Sequence, residues 1–188
     1  MSNIGSYDER LENFDWSIAE QELDYREGDA INIGWYCTDW ICEKGLSEKL
    51  ALIWEDIHGT VKKYTFDDLR VLSNTISQYL VDLGVEPGER VCIFMDRVPE
   101  LYLSFLGILK MGGIAQPLFS AFGDESLLQR LENAGTSVIF TQKKHVAKVR
   151  KILDHLPDLK HILIVDGDKA KLREKESVFD LENMTRSE

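Results

Sequence analysis

The chain has 188 residues, 44% of them hydrophobic and 29% charged, which is enough apolar content for one good-sized core and too much for a disordered chain. Its formal charge of −11 repels DNA, RNA and anionic lipid at long range, so neither nucleic acid nor a membrane is expected as a partner. Cys37, Cys42 and Cys92 show no CxxC or Cys/His spacing and the polar, acidic N-terminus has no apolar h-region, so free buried thiols, a cytoplasmic location and no bound metal are expected.

Residues 1–45 are rich in Trp, Asp and Glu and lack clean periodicity. Phe14, Trp16, Ile18, Leu23 and Tyr25 are scattered apolar anchors, which predicts a mostly helical or irregular N-terminal extension wrapping a core, with Ala30–Cys42 helical in part. From about residue 49 the pattern becomes regular. Leu50–Trp54 and Val61–Thr65 are apolar runs around Asp56, His58 and Gly59, a small hairpin. Thr65 is a candidate N-cap with Asp68 three residues on, and Leu69, Leu72, Ile76, Leu80 and Leu83 then form one helical face that Gly84 stops.

The turn Glu86–Pro87–Gly88 leads to a strand at Val91–Phe94. Pro99 suits the first turn of a helix over Glu100–Met111, whose apolarity on nearly all sides predicts burial between layers and whose length is too short to span a bilayer. Gly112 and Gly113 end it. Strands at Ile114–Leu118, Val138–Thr141 and His161–Val165 then alternate with helices at Asp124–Ala134 and Lys144–His155. Such alternation predicts an α/β fold: a parallel βαβ Rossmann-like sheet flanked by helices, occupying residues 46–188 as a first, truncated subdomain. The charged tail after Asp166 is expected to end without a core-like element, at an arbitrary stopping point.

A sheet of this kind commonly binds nucleotides, yet neither GxGxxG nor GxxxxGK[ST] is present. The paired glycines Gly112 and Gly113 sit at a helix C-terminus, the wrong pole for phosphate. His58, His145, His155 and His161 show no nucleophile–base pattern, Ser104 lacks an elbow motif, and Asp39, Asp56, Glu100 and Asp166 do not pair. No catalytic residue is therefore assigned. One cluster departs from the acidic background: Lys143, Lys144, Lys148, Arg150 and Lys151, with His145 beside them and no acid among them. Lys144, Lys148 and Lys151 share one helix face, which fits a solvated surface first and a site for a small anion second.

The segment from Tyr64 to Thr141 resembles the AMP-forming acetyl-CoA synthetases of the acyl-adenylating superfamily. The resemblance is carried by LSN, LGV-x-x-G-x-RV, IFM-x-R-x-PELY, LG-x-LK-x-G and PLFSAFG, with NIGWYCTDW similar to the extension that precedes the core. It implies a two-step acid–thiol ligase. A short carboxylate such as acetate attacks the α-phosphate of ATP, with Mg²⁺ offsetting phosphate charge, and the coenzyme A thiol then displaces AMP. The phosphate loop, ribose Asp and adenylate Lys of that family are not in this sequence and are expected beyond Glu188, so the chain alone is expected to be inactive and to bind no cofactor tightly. By the same resemblance Phe119 and Ala121 contact the coenzyme A adenine, and the segment Ala147 to Arg150 meets its phosphates. Ala147 stands where a first arginine is expected, Arg150 keeps the second, and Lys148 lies between. The alternatives are an aryl- or medium-chain acyl-CoA ligase fragment and a non-catalytic module that binds coenzyme A or a partner. Exposed apolar surface also makes self-association of the chain an expectation.

Overall fold

In the computed structural model residues 6–181 are described. The described residues up to Ile31 form one compact unit, and those from Asn32 onward form another. The first unit consists of α1 (Tyr7–Glu12) and α2 (Trp16–Glu22), neither of which buries a residue. Local bonds start both helices: Ser6 accepts from the Glu9 N–H, and Asp15 accepts from the Ser17 N–H at 2.9 Å.

The second unit opens with α3 (Ile33–Tyr36) and α4 (Asp39–Ile41), followed by a π-type turn at Cys42–Leu46. The hairpin follows as β1 (Leu50–Glu55) and β2 (Val61–Thr65), antiparallel, with Asp56 Oδ1 accepting from the His58 and Thr60 N–H groups to close the turn. Helix α5 (Phe66–Asp82) begins at a full capping box. Thr65 Oγ1 accepts from the Asp68 N–H at 3.1 Å, and Asp68 Oδ2 accepts from the Thr65 N–H at 2.7 Å.

The main sheet comprises β3 (Arg90–Phe94), β4 (Ile114–Pro117), β5 (Val138–Thr141), β6 (His161–Ile164) and β7 (Glu176–Val178), all parallel, in the order β4-β3-β5-β6-β7. Its connecting helices are α6 (Pro99–Lys110), α7 (Asp124–Ala134) and α8 (Lys143–Ile152). Alternate strand residues feed two cores. Val91, Ile93, Val138, Phe140 and Leu163 pack with α5 and α6, while Cys92, Phe94, Ile139, Ile162 and Ile164 pack with α7 and α8. The fold is thus the expected α/β sheet with helices on both faces and a small hairpin. Among the described residues no helix is long and apolar enough to cross a membrane.

Glycine sets the close approach of helices to α6. A Cβ on Gly34 would lie 2.8 Å from the Leu106 carbonyl oxygen and 2.9 Å from the Lys110 nitrogen, and one on Gly107 would lie 2.6 Å from Ile76 Cγ2. Asn32 completes the α3–α6 junction by donating to the Leu109 and Lys110 carbonyls at 3.1 and 3.0 Å. Beside it, Lys110 Nζ pairs with Asp39 Oδ2 at 2.5 Å. Burial alone would raise the Asp39 pKa, but hydrogen bonds from Lys110 and Thr38 outweigh it and hold the carboxyl below its usual range.

Three expectations need correction. The tail does carry a core element: β7 extends the sheet, and Phe179, 1% exposed, packs against Phe140 and Tyr79. The last seven residues of that tail lie outside the described residues. Helix α6 is not buried on every side, because α3 and α5 cover two flanks while Tyr102 and Phe105 remain exposed. Of the three free cysteines only Cys92 is fully buried, and burial pushes its thiol pKa up; Cys37 is exposed.

Candidate functional site

The strand order places a crevice where β3 and β5 lie side by side. From β3 the chain leaves through α6 on one face, and from β5 it leaves through α8 on the other. Ligands of open α/β sheets bind at such reversals, outside the C-terminal strand ends. Here the two ends are tied together: the Asp96 N–H donates to Gln142 Oε1 at 2.9 Å, and Thr141 Oγ1 donates to the Phe94 carbonyl at 2.9 Å. Beside this crevice, at the C-terminal ends of β3 and β4, lies a cleft of about 680 Å³ walled by Trp54, Met95, Leu101, Leu118 and Phe119, with Asp96 and Lys144 also lining it. The hairpin reaches this cleft because Trp54 Nε1 donates to the Arg97 carbonyl at 2.7 Å.

The loop after β4 carries Phe119 and Ala121. It is a tight turn in which the Phe122 N–H donates to the Phe119 carbonyl at 3.0 Å. Phe122 turns toward the protein, meeting Phe119 edge-on at 5.9 Å and lying under the Arg130 guanidinium at 4.2 Å. Phe119 stays 66% exposed and Ala121 is exposed as well. From α8, Lys148 Nζ donates to the Ser120 carbonyl at 3.1 Å and to the Phe122 carbonyl at 2.9 Å.

The basic cluster on α8, acid-free in sequence, is supplied with acids by other elements. Asp96 takes Lys144 on one oxygen and His145 Nε2 on the other, the latter at 2.8 Å. Hydrogen bonds from Lys144, Ser120 and His145 hold the Asp96 carboxyl far below the usual range, with burial opposing them. Lys151 pairs with Asp124 at 2.9 Å in an exposed, weak contact. Arg150 forms a bidentate pair with Glu176 at 2.7 and 2.6 Å, and the Glu176 side chain is wholly removed from solvent. The Arg150 bond holds the Glu176 carboxyl below its ordinary pKa despite burial.

The three candidate residues on α8 therefore divide between two of its faces. Lys148 meets the loop of Phe119 and Ala121. Ala147 and Arg150 line a smaller pocket of about 170 Å³ with Lys143, Gly167, Asp168 and Lys171. The structure adds Asp96, Gln142 and Glu176, which no spacing rule singles out because each acts across 26 to 49 positions. Among the described residues no three His, Cys, Asp or Glu side chains come together as a metal site.

Comparison with known proteins gives a consistent picture. The AMP-binding enzyme family matches residues 40–185. An acetyl-coenzyme A synthetase of Bacillus subtilis is 36% identical over 88% of this chain, and a 3-hydroxypropionyl-coenzyme A synthetase of Sulfurisphaera tokodaii is 28% identical over 78% of it. The crystal structure of an acyl-CoA synthetase from Brucella canis superposes with a TM-score of 0.78 at 27% identity, covering 96% of this chain. The chain spans 29%, 22% and 32% of those three proteins respectively.

Proposed function

The chain belongs to the AMP-binding enzyme family, and we propose that it is the first part of an acid–thiol ligase that joins acetate or another short carboxylate to coenzyme A. In that reading the carboxylate displaces pyrophosphate from ATP to give an acyl-adenylate, and the coenzyme A thiol then displaces AMP. Similarity to a synthetase named for acetyl-CoA and one named for 3-hydroxypropionyl-CoA favours a two- or three-carbon acid over aryl or medium-chain acids. In this reading the described residues supply scaffold and one substrate surface.

The substrate surface is that of coenzyme A. The observation that carries this reading is Phe119, a large ring left 66% exposed on an ordered turn at the crevice and flanked by the basic helix α8. An exposed aromatic face beside cations suits a flat base joined to phosphates. Adenine lies against Phe119 and Ala121, and the phosphates reach α8, where the small side chain of Ala147 leaves room and Arg150 stands one turn on. Arg150 brings a bidentate donor already shared with Glu176, so it contributes through its remaining N–H groups. Titrating coenzyme A into the ¹⁵N-labelled 188-residue chain should shift the amide resonances of 119–121 and 147–150 and leave the hairpin turn 56–60 unmoved. Saturable shifts confined to other residues, or none, would refute this placement.

A further inference from the structure

Lys148 reads in sequence as one more phosphate-binding cation, but its surroundings say otherwise. Its ammonium is committed to two backbone carbonyls of one turn, those of Ser120 and Phe122, at 3.1 and 2.9 Å. The same Nζ lies over the Phe94 ring, 5.6 Å from the centroid. One turn before it, Lys144 is held with His145 on the two oxygens of Asp96. The turn that carries Phe119 is thus held by a cation on two of its carbonyls. Its two aromatic rings meet edge-on, Phe122 partly buried under Arg130 and Phe119 exposed.

We infer that Lys148 is a positioning residue: it locks the 118–123 turn so that Phe119 is presented, ordered, as a stacking face for the base of the ligand, and it does not itself grip a phosphate. This rests on the coenzyme A reading for the identity of the base. It does not rest on it for the lock, which is a property of this chain alone. An exposed aromatic side chain on a free loop loses backbone and rotamer freedom when a ligand stacks on it, whereas a turn already fixed avoids that loss. The ammonium is suited to the task because it offers three donors and can satisfy two carbonyls at once.

Lys148→Met keeps an unbranched side chain and removes the donors, and Lys148→Arg restores a donor. Three readouts apply to the 188-residue chain: amide hydrogen exchange, affinity for coenzyme A, and affinity for dephospho-coenzyme A, which lacks the 3′-phosphate. The lock predicts that Lys148→Met speeds exchange at amides 119–123 by about tenfold or more, the scale of a lost charge-assisted bond, and leaves β3 and β5 unchanged. Lys148→Arg should recover part of that protection. Both ligands should weaken by the same factor, and adding Phe119→Ala to Lys148→Met should cost little further, because the two act through one contact. Unchanged exchange in 119–123 overturns the inference. So does a loss for coenzyme A without an equal loss for dephospho-coenzyme A, which would place Lys148 on the 3′-phosphate. If the unmodified chain binds neither compound, the coenzyme A reading falls, and the exchange data still decide whether Lys148 holds the turn.

Discussion

Replacing Arg150 by Ala strips a bidentate partner from Glu176, whose side chain is fully buried at the sheet edge. Breaking a buried pair from one side leaves an uncompensated charge, at a cost of about 3 kcal/mol. For a domain of this size each kcal/mol moves Tm by about 2–4 °C, so a fall of roughly 6–12 °C is expected at pH 7. The pH dependence follows from the direction of the Glu176 shift. Its folded pKa lies below the ordinary value, so the pair stabilises above the unfolded carboxylate pKa of about 4.3, and that stability is lost as pH falls through the folded value. In the Arg150→Ala chain the same carboxyl is buried without its partner and its pKa rises, so acidification neutralises it and relieves the strain. Thermal melts followed by circular dichroism should therefore show the gap between the two chains widest near pH 7 and narrowing below about pH 4. Adding Glu176→Gln should recover much of the loss at neutral pH. An unchanged Tm at pH 7, or a gap that does not narrow in acid, would refute this account of the pair. Any loss of coenzyme A affinity in Arg150→Ala must be measured well below the lowered Tm, where the chain remains folded.

Two further substitutions test the packing that positions the crevice. Gly34→Ala sets a Cβ against the Leu106 carbonyl and the Lys110 nitrogen, backbone atoms that cannot rotate away; a loss of about 2 kcal/mol in urea unfolding is expected, and an unchanged midpoint would show that α3 does not rest on α6 as described. Ser104 is fully buried on α6, and its hydroxyl has no hydrogen-bond partner among the described residues. Ser104→Ala removes that unmet group and should be neutral or stabilising within about 1 kcal/mol; a clear loss of stability would mean the hydroxyl is satisfied.

Much of the architecture was readable from local patterns. Thr65 and Asp68 cap α5 as their spacing indicates, Leu69, Ile76 and Leu80 are its buried face, and Val91–Phe94 and Val138–Thr141 are strands buried on both faces. What escaped were features set by distant partners. The three residues of β7 sit in a charged tail, and only pairing with Ile162–Ile164 makes them a strand. The α8 cluster looked unopposed because Asp96, Asp124 and Glu176 arrive from three other elements, and this changes the chemistry of the site from a free cationic patch to a set of committed pairs. Phe119 and Ala121 could be placed on a loop from their motif. That Lys148 serves this loop through its carbonyls has no signature in side-chain spacing, since the acceptors are backbone atoms.

If this chain is part of a ligase for short acids, release of pyrophosphate from ATP depends on the carboxylate supplied. The protein at the full length of its relatives, supplied with ATP, Mg²⁺ and coenzyme A, is expected to release pyrophosphate with acetate, propionate or 3-hydroxypropionate and far less with benzoate or octanoate. Equal release without any carboxylate, or release with benzoate alone, would contradict the account.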